Sequence, residues 1–262
     1  MSKKIVITGG IGYIGTELCK IYSGINWNNE ILVIDNRFVS ERVNQLRNWG
    51  IDFFHGDILD KELVSKFCKD ADIVHHLAGI TDVPRVKSES NDEKDTKIKL
   101  VAEKGTQNIL DAISDKCKII FPSTHVVYEG IEKVKNDILE DEDTKPILSY
   151  ATSKALNEKQ LKNSGKNYII LRLGSVYGYS TDTARVDIMP NLFSKIASQN
   201  GILKLFAAGR QVKSLVPLID VARCFKYMEE REDISSETFN FTKDKVTVKE
   251  VAKICKKYNP KI

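Results

Sequence analysis

The stretch Lys4-Ile5-Val6-Ile7-Thr8-Gly9-Gly10-Ile11-Gly12-Tyr13-Ile14-Gly15 constrains this chain more than any other. Apolar, β-prone residues run into a glycine-rich turn, and a segment with helical apolar spacing (Tyr13, Ile14, Leu18, Ile21) leaves it, which spells strand, turn and helix. Gly9, Gly12 and Gly15 each have a task in such a unit: the tight turn, close approach of backbone to a pyrophosphate, and packing of helix on strand. The free N–H groups and the positive end of the helix then hold phosphates without a basic side chain. Asp35 follows Gly15 by twenty residues and ends the apolar run Glu30-Ile31-Leu32-Val33-Ile34, where its carboxylate would meet an adenosine ribose. The stretch predicts a dinucleotide site, with Tyr13 and Ile14 among its contacts. Asp35 favours NAD over NADP because it would repel a 2′-phosphate, and Arg37, two residues on, is the one feature that softens this preference.

At 262 residues and 42% hydrophobic content, the chain suits one large α/β domain, or such a domain with a small appendage. A net charge of +4 comes from scattered lysines, and no stretch interleaves basic residues with aromatics, which argues against nucleic acid as a partner. The five cysteines (Cys19, Cys68, Cys117, Cys224, Cys255) are widely spaced without a paired motif, and the four histidines lack ligand spacing, so neither a disulfide framework nor a metal site is expected. The first strand begins at Lys4, leaving no room for a signal peptide, and no apolar run reaches membrane-spanning length. A soluble, reduced, cytoplasmic protein is the expectation.

Strand patterns recur at 51–55, 71–79, 118–121 and 167–173, separated by helical patterns at 42–49, 59–67, 94–114 and from Tyr150 onward. This alternation predicts a doubly wound α/β fold: a parallel sheet with helices on both faces. The rhythm loosens after about residue 178. Helices are expected at 189–200 and 221–231, and a last one opens on the capping box Thr247-Val248-Lys249-Glu250. The chain divides on this reading into a dinucleotide-binding domain, 1–177, and an interleaved substrate-binding region, 178–262. The charged, irregular segment 129–148 reads as a flexible loop. The turn Leu77-Ala78-Gly79 is where a cofactor can lie close to backbone, and His75 and His76 before it read as packed rather than catalytic.

Two stretches carry candidate chemistry. Tyr150-Ala151-Thr152-Ser153-Lys154 sets a phenol and an ammonium at i and i+4, on one helix face. A free tyrosine titrates near 10, too high for a base at neutral pH, and a neighbouring cation is expected to lower it. Ser123-Thr124-His125-Val126-Val127-Tyr128 follows a strand directly, at the sheet edge where open parallel sheets bind ligands.

Together with Gly56-Asp57-Ile58, His76-Leu77-Ala78-Gly79, Gly105-Thr106-Gln107-Asn108-Ile109-Leu110 and Leu171-Arg172 through Val176-Tyr177-Gly178, these motifs resemble the extended short-chain dehydrogenase/reductase family, and within it the NAD-dependent sugar-nucleotide epimerase/dehydratase branch. The resemblance covers nearly the whole chain. It implies Tyr150 as catalytic acid/base, Lys154 as the residue that tunes it and holds the nicotinamide ribose, and Thr124 as the hydroxyl on the reacting oxygen. It implies Asp35 on the adenosine ribose, and Asp57 and Ile58 on the adenine. His125 and Val126 would face the substrate, with His125 more a strand cap than a second acid/base. Departures from the pattern are Ser175 where a substrate-contacting Asn is usual, Tyr179 for a Pro, Lys213 for an Arg that grips the diphosphate, and Ala102 for an Asn before Gly105-Thr106. The chain also stops where family members normally continue, so substrate binding is expected to be altered, truncated or both.

The resemblance implies a nucleotide-sugar 4-epimerase working through oxidation at C4 and hydride return, as a homodimer built on the helices 94–114 and from Tyr150. The alternatives are a reductase or dehydratase of the same family, or a non-catalytic dinucleotide-binding regulator. The last would be expected to lose the Tyr/Lys pair, which this chain keeps.

Overall fold

The computed structural model describes residues 2–24, 29–81, 91–132, 135–180 and 185–261. Seven strands form a sheet in the order β3-β2-β1-β4-β5-β6-β9, every neighbouring pair parallel. They are β1 (Lys4–Thr8), β2 (Glu30–Asp35), β3 (Asp52–His55), β4 (Ile73–His76), β5 (Lys118–Thr124), β6 (Asn167–Leu173) and β9 (Glu237–Phe241). Strand order reverses between β1 and β4, which opens a crevice at their C-terminal ends.

The sheet is buried on both faces, so its strands read as nearly unbroken apolar runs. Ile5, Ile7, Ile31, Val33, Ile120, Ile169 and Leu171 face Leu18 and Tyr22 of α1 (Tyr13–Ser23), Leu46 of α2 (Ser40–Asn48), and Val221 and Phe225 of α8 (Leu218–Glu230). Val6, Leu32, Ile34, Ile119, Phe121 and Ile170 face Val64 of α3 (Lys61–Cys68), Ile109 of α5 (Thr106–Ala112) and Leu161 of α6 (Ser149–Asn163). The period of two along each strand divides the side chains between these layers.

The long helix expected at 94–114 is present, running unbroken over 92–112 as α4 (Asp92–Leu100), a π turn (Val101–Gly105) and α5. Such a turn shifts the hydrogen-bond ladder by a residue. Side chains of α6 cover the displaced carbonyls: Asn157 Nδ2 donates to Ala102 O (2.8 Å) and Gln160 Nε2 to Glu103 O (2.9 Å). Gly105 packs so close to Ile58 that a Cβ there would lie 2.4 Å from its Cδ1.

The segment 129–148 is irregular but tied down, contrary to the flexible loop expected. Glu129 Oε1 accepts from Ile147 N (2.8 Å) and Leu148 N (2.7 Å), Lys145 N donates to Val127 O (2.8 Å), and Arg172 Nη1 donates to Glu140 O (2.9 Å). Residues 133 and 134 of it lie outside the described residues.

Beyond Tyr177 the chain alternates between layers. A small sheet, β10-β8-β7, is built from β7 (Ser175–Tyr177), β8 (Val212–Pro217) and β10 (Asp244–Thr247), while α8 and β9 complete the main layers. α7 (Met189–Ser198) and α9 (Val248–Tyr258) pack over the small sheet through Phe193, Leu215, Val248 and Val251. The capping box is formed: Thr247 Oγ1 accepts from Glu250 N (3.2 Å), and Glu250 Oε2 accepts from Thr247 N (2.6 Å). The five cysteines are free. Among the described residues, no helix is long and apolar enough to cross a membrane, and no group of side chains could hold a metal ion.

Candidate active site

The glycine turn lies at the crevice, and its backbone leaves no room for side chains. Gly9 has φ +73°, and a Cβ there would stand 2.7 Å from Ala78 N, so the turn and the Leu77-Ala78-Gly79 segment lie face to face. A Cβ on Gly15 would stand 2.5 Å from Gly9 O, and one on Gly12 3.0 Å from the same oxygen. Gly12 is the N-cap of α1 and Tyr13 and Ile14 form its first turn, so the helix N-terminus points into the crevice. This cradle fits a pyrophosphate: bare backbone donors at a helix start, with Asp35 at the adjacent strand end.

Asp35 is buried, accepting from Ile11 N (3.3 Å) and from Arg37 N (3.0 Å) and Nε (3.2 Å). Asp57 sits beside it, accepting from Asn36 Nδ2 (3.0 Å) and Leu59 N (2.9 Å). Ile58 is buried, its carbonyl held by Asn108 Nδ2 (2.9 Å). The residues expected to contact cofactor are thus gathered along the C-terminal ends of β1, β2, β3 and β4.

Tyr150 and Lys154 stand one turn apart on α6, which packs against β5 and the turn His125–Tyr128. Lys154 is 8% exposed, its Nζ donating to Pro122 O (2.7 Å) and lying 4.3 Å from the centre of the Phe121 ring. Burial pushes its ammonium down to about 7, with Glu158 pulling the other way. Burial also pushes the Tyr150 phenol up, and Arg185 is the charge that pulls it down. The expected lowering of the phenol by Lys154 is therefore reversed in this structure: desolvation dominates both groups and acts on the cation itself.

Beneath the pair, α6 carries two further polar positions on the same face. Glu158 receives a bidentate Arg172 (Nη2–Oε2 2.7 Å, Nε–Oε1 3.0 Å), both buried, and Ser123 Oγ also donates to it. Asn157 Nδ2 donates to Thr106 Oγ1 (3.0 Å), which bonds His76 Nε2 (3.0 Å), while His76 Nδ1 bonds Thr8 Oγ1 (2.9 Å) and Ala78 N donates to Thr8 Oγ1 (3.2 Å). This chain of contacts runs from α6 to the glycine turn. Burial holds the His76 imidazole down at about 3, so it is neutral. His75 is buried as well, with Nε2 3.1 Å from both Tyr22 Oη and Glu229 Oε2.

On the substrate side, Thr124 ends β5 and is buried, with Val126 N donating to its Oγ1 at 3.4 Å. His125 Nδ1 donates to Leu173 O (2.9 Å), a strand-end contact, and burial lowers its imidazole. Lys213 on β8 is exposed and near enough for its charge to lower His125 further. Ser175 opens β7, registered opposite Leu215 of β8.

Sequence reasoning missed a latch joining the two parts of the site. Tyr13 Oη donates to Gly178 O (2.7 Å), Asn191 Nδ2 donates to Tyr13 Oη (3.1 Å) and to Arg185 O (2.8 Å), and Asn191 Oδ1 accepts from Gly178 N (3.0 Å). Arg185 itself reaches Thr81 O (3.3 Å) and Asp187 (3.0 Å). Nothing in the local sequence marks Asn191 or Arg185. Glu158 was within reach, because it continues the Tyr150, Lys154 spacing by another i+4 step.

A parallel doubly wound sheet, a glycine cradle at the strand-order switch and a Tyr–Lys helix beside it define a dinucleotide-dependent enzyme class. The sequence model of the NAD dependent epimerase/dehydratase family matches residues 5–241. A UDP-N-acetyl-alpha-D-glucosaminuronate decarboxylase from Bacillus cytotoxicus is 27% identical, covering 96% of this chain and 79% of that protein. A UDP-glucose 4-epimerase from Lactobacillus helveticus is 29% identical over 78% of this chain and 63% of its own length. The crystal structure of a UDP-glucuronic acid 4-epimerase from Bacillus cereus, complexed with UDP-glucuronic acid and NAD, superposes with a TM-score of 0.81 at 24% identity, over 97% of this chain and 82% of that one. The chain belongs to the NAD dependent epimerase/dehydratase family.

Proposed function

We propose that the chain is a nucleotide-sugar 4-epimerase. The carrying observation is a complete Thr124, Tyr150, Lys154 set next to an inert side chain, Val126. In this reading Tyr150 takes the proton of the sugar's C4 hydroxyl and later returns it, and Thr124 orients that oxygen. Lys154, neutralised in part by burial, holds the ribose beside the ring and biases Tyr150 once its ammonium is restored there. NAD, when bound, supplies the hydride acceptor and donor. Gly9, Gly12 and Gly15 hold its phosphates, Asp35 its adenosine ribose, Asp57 and Ile58 its adenine, and Leu77, Ala78 and Gly79 flank its other half. Ser175, His125 and Lys213 line the substrate side.

Eliminating water or enolising the ketone needs a second proton-transfer group, typically worth about 10²–10⁴ in rate. Valine at 126 cannot provide it, and His125 is committed to Leu173. Hydride removal and return, with Tyr150 as base and then acid, is the chemistry these residues support. Mass spectrometry after incubation with a panel of UDP-, dTDP- and GDP-sugars tests this. Products equal in mass to substrate, without accumulating NADH, are expected, together with a loss of about 10²–10⁴ in rate for Tyr150→Phe. Loss of one water from the product, or stoichiometric NADH, would overturn the assignment.

A second reading concerns the sugar. Arg185 is the charge that lowers the Tyr150 phenol, and its guanidinium also reaches Thr81 O (3.3 Å) and Asp187 (3.0 Å). That cation favours a sugar bearing a carboxylate, as the names of two of the similar proteins also suggest. UDP-glucuronic acid in the same panel separates this reading: Arg185→Leu should raise KM for it and spare neutral sugars.

We also propose a homodimer through α4, α5 and α6. Of the apolar residues on these helices and at their ends, Ile113 and Leu161 are buried in the chain's own core, and Leu100 is 48% exposed. A groove lined by Leu110, Leu156 and Gln160 runs alongside. Light scattering at micromolar concentration decides it.

A further inference from the structure

The carboxylate of Asp35 is already satisfied on both oxygens. Oδ1 accepts from Arg37 N (3.0 Å) and Nε (3.2 Å), and Oδ2 accepts from Ile11 N (3.3 Å) and Arg37 Nη2 (3.4 Å). The Arg37 side chain remains 55% exposed, and its Nη2 lies 3.5 Å from the point where a Cβ on Gly12 would stand. Its guanidinium therefore spans from Asp35 to the phosphate-binding turn. A second guanidinium is close at hand, since Arg42 Nη1 donates to Ile11 O (2.5 Å), the same residue whose N–H binds Asp35. The other carboxylates nearby are Asp57, bonded to Asn36, and Glu41, bonded to Ser40. The ribose pocket thus presents one buried carboxylate flanked by two arginines.

A lone carboxylate at this strand end selects the 2′-hydroxyl by accepting its proton and repels a 2′-phosphate. Here Arg37 cancels that repulsion and carries a planar fork suited to phosphate. The pair joins a buried carboxylate to a half-exposed guanidinium, so releasing Arg37 costs Asp35 its charge partner and leaves it to its backbone donors. Asp35 would keep the N–H groups of Ile11 and Arg37, while the freed guanidinium meets the phosphate.

We propose that Arg37 makes this a dual pocket, one that accepts the 2′-phosphate of NADP as well as the 2′-hydroxyl of NAD. The inference rests on the dinucleotide site and is independent of which sugar, or which reaction, the enzyme serves.

The test is titration of the purified full-length chain with NAD and with NADP, followed by calorimetry and without sugar. The two dissociation constants are expected within about tenfold of each other, and Arg37→Leu is expected to weaken NADP by about tenfold or more while changing NAD by less than about threefold. Arg37→Lys, which keeps charge and loses the fork, should fall between. Wild-type protein binding NAD more than about a hundredfold tighter than NADP would overturn the proposal. So would equal weakening of both dinucleotides in Arg37→Leu, or failure of the wild type to bind either. Loss of epimerase turnover with both binding constants as expected would sink the sugar chemistry and leave this proposal standing.

Discussion

The glycine turn at the crevice and the turn Phe206–Gly209 are built on opposite principles. Around the glycine turn the backbone itself does the binding, and packing leaves no tolerance: added Cβ atoms at Gly9 and Gly15 would sit 2.7 Å and 2.5 Å from neighbouring backbone atoms. The turn Phe206–Gly209 instead holds Ala207 at φ +48° and Ala208 at φ +55°, a left-handed backbone carried by residues that avoid it. Phe206, which opens that turn, is more than 80% exposed. Backbone recognition fixes residue identity, because only glycine fits. Side-chain recognition can be exchanged one residue at a time.

The sharpest way to break this contrast is Gly9→Ala. The new Cβ would meet Ala78 N and Cα at 2.7 and 2.8 Å, with φ at +73°. Overpacking and a left-handed alanine together cost about 3 kcal/mol, roughly a hundredfold in NAD affinity or the equivalent in stability. Calorimetric titration and thermal melts would register it. A variant with both quantities intact would show that the cradle yields more readily than its contacts imply.

An effect of comparable size comes from Lys154 on α6, whose Nζ is held by Pro122 O. Its folded ammonium is held down at about 7 against an ordinary value of 10.5. Between these values the unfolded chain binds the proton and the folded protein does not. Stability of the cofactor-free protein should therefore rise with pH from about 7 toward the ordinary lysine range. Each unit of such a shift corresponds to about 1.4 kcal/mol. Denaturation at a series of pH values should show this rise in the wild type and a flatter profile in Lys154→Met. Parallel profiles would mean that the buried lysine keeps its proton.

The same contrast explains what could be read from the sequence. The cradle, Asp35, the Tyr150/Lys154 spacing and the alternation of strands and helices were legible because each follows from local geometry. The final capping box was legible for the same reason. The π turn at Val101–Gly105 was not, since it exists through side chains of α6, fifty or more residues away, that cover its carbonyls. Nor was the direction of the Tyr150 shift, which depends on burial rather than on its helical neighbour. Nor was the small sheet of β7, β8 and β10, whose pairings join strands about 30 to 40 residues apart in the chain. The Arg37–Asp35 pair could be suspected from two residues two positions apart, but it took the structure to see both oxygens taken.

The smallest predicted effect runs in the opposite direction from the first. At Ala207 and Ala208 the backbone is left-handed and the side chains are exposed, so glycine there removes a steric cost without opening a cavity. Against that gain stands the greater entropy glycine loses on folding, about 0.5–1 kcal/mol. The strain relieved is about 1–2 kcal/mol for a residue held left-handed. Ala207→Gly should therefore stabilise the protein by roughly 0.5–1 kcal/mol, a rise of about 1–4 °C in Tm for a chain of this size. In the two halves of this comparison, adding alanine would damage the glycine turn, and removing it would improve the turn Phe206–Gly209. NAD affinity should stay unchanged in Ala207→Gly, because the turn lies outside the cradle. A fall in Tm would mean that the left-handed turn is held by contacts of the alanine methyl itself, and the two halves would then differ less than their backbones suggest.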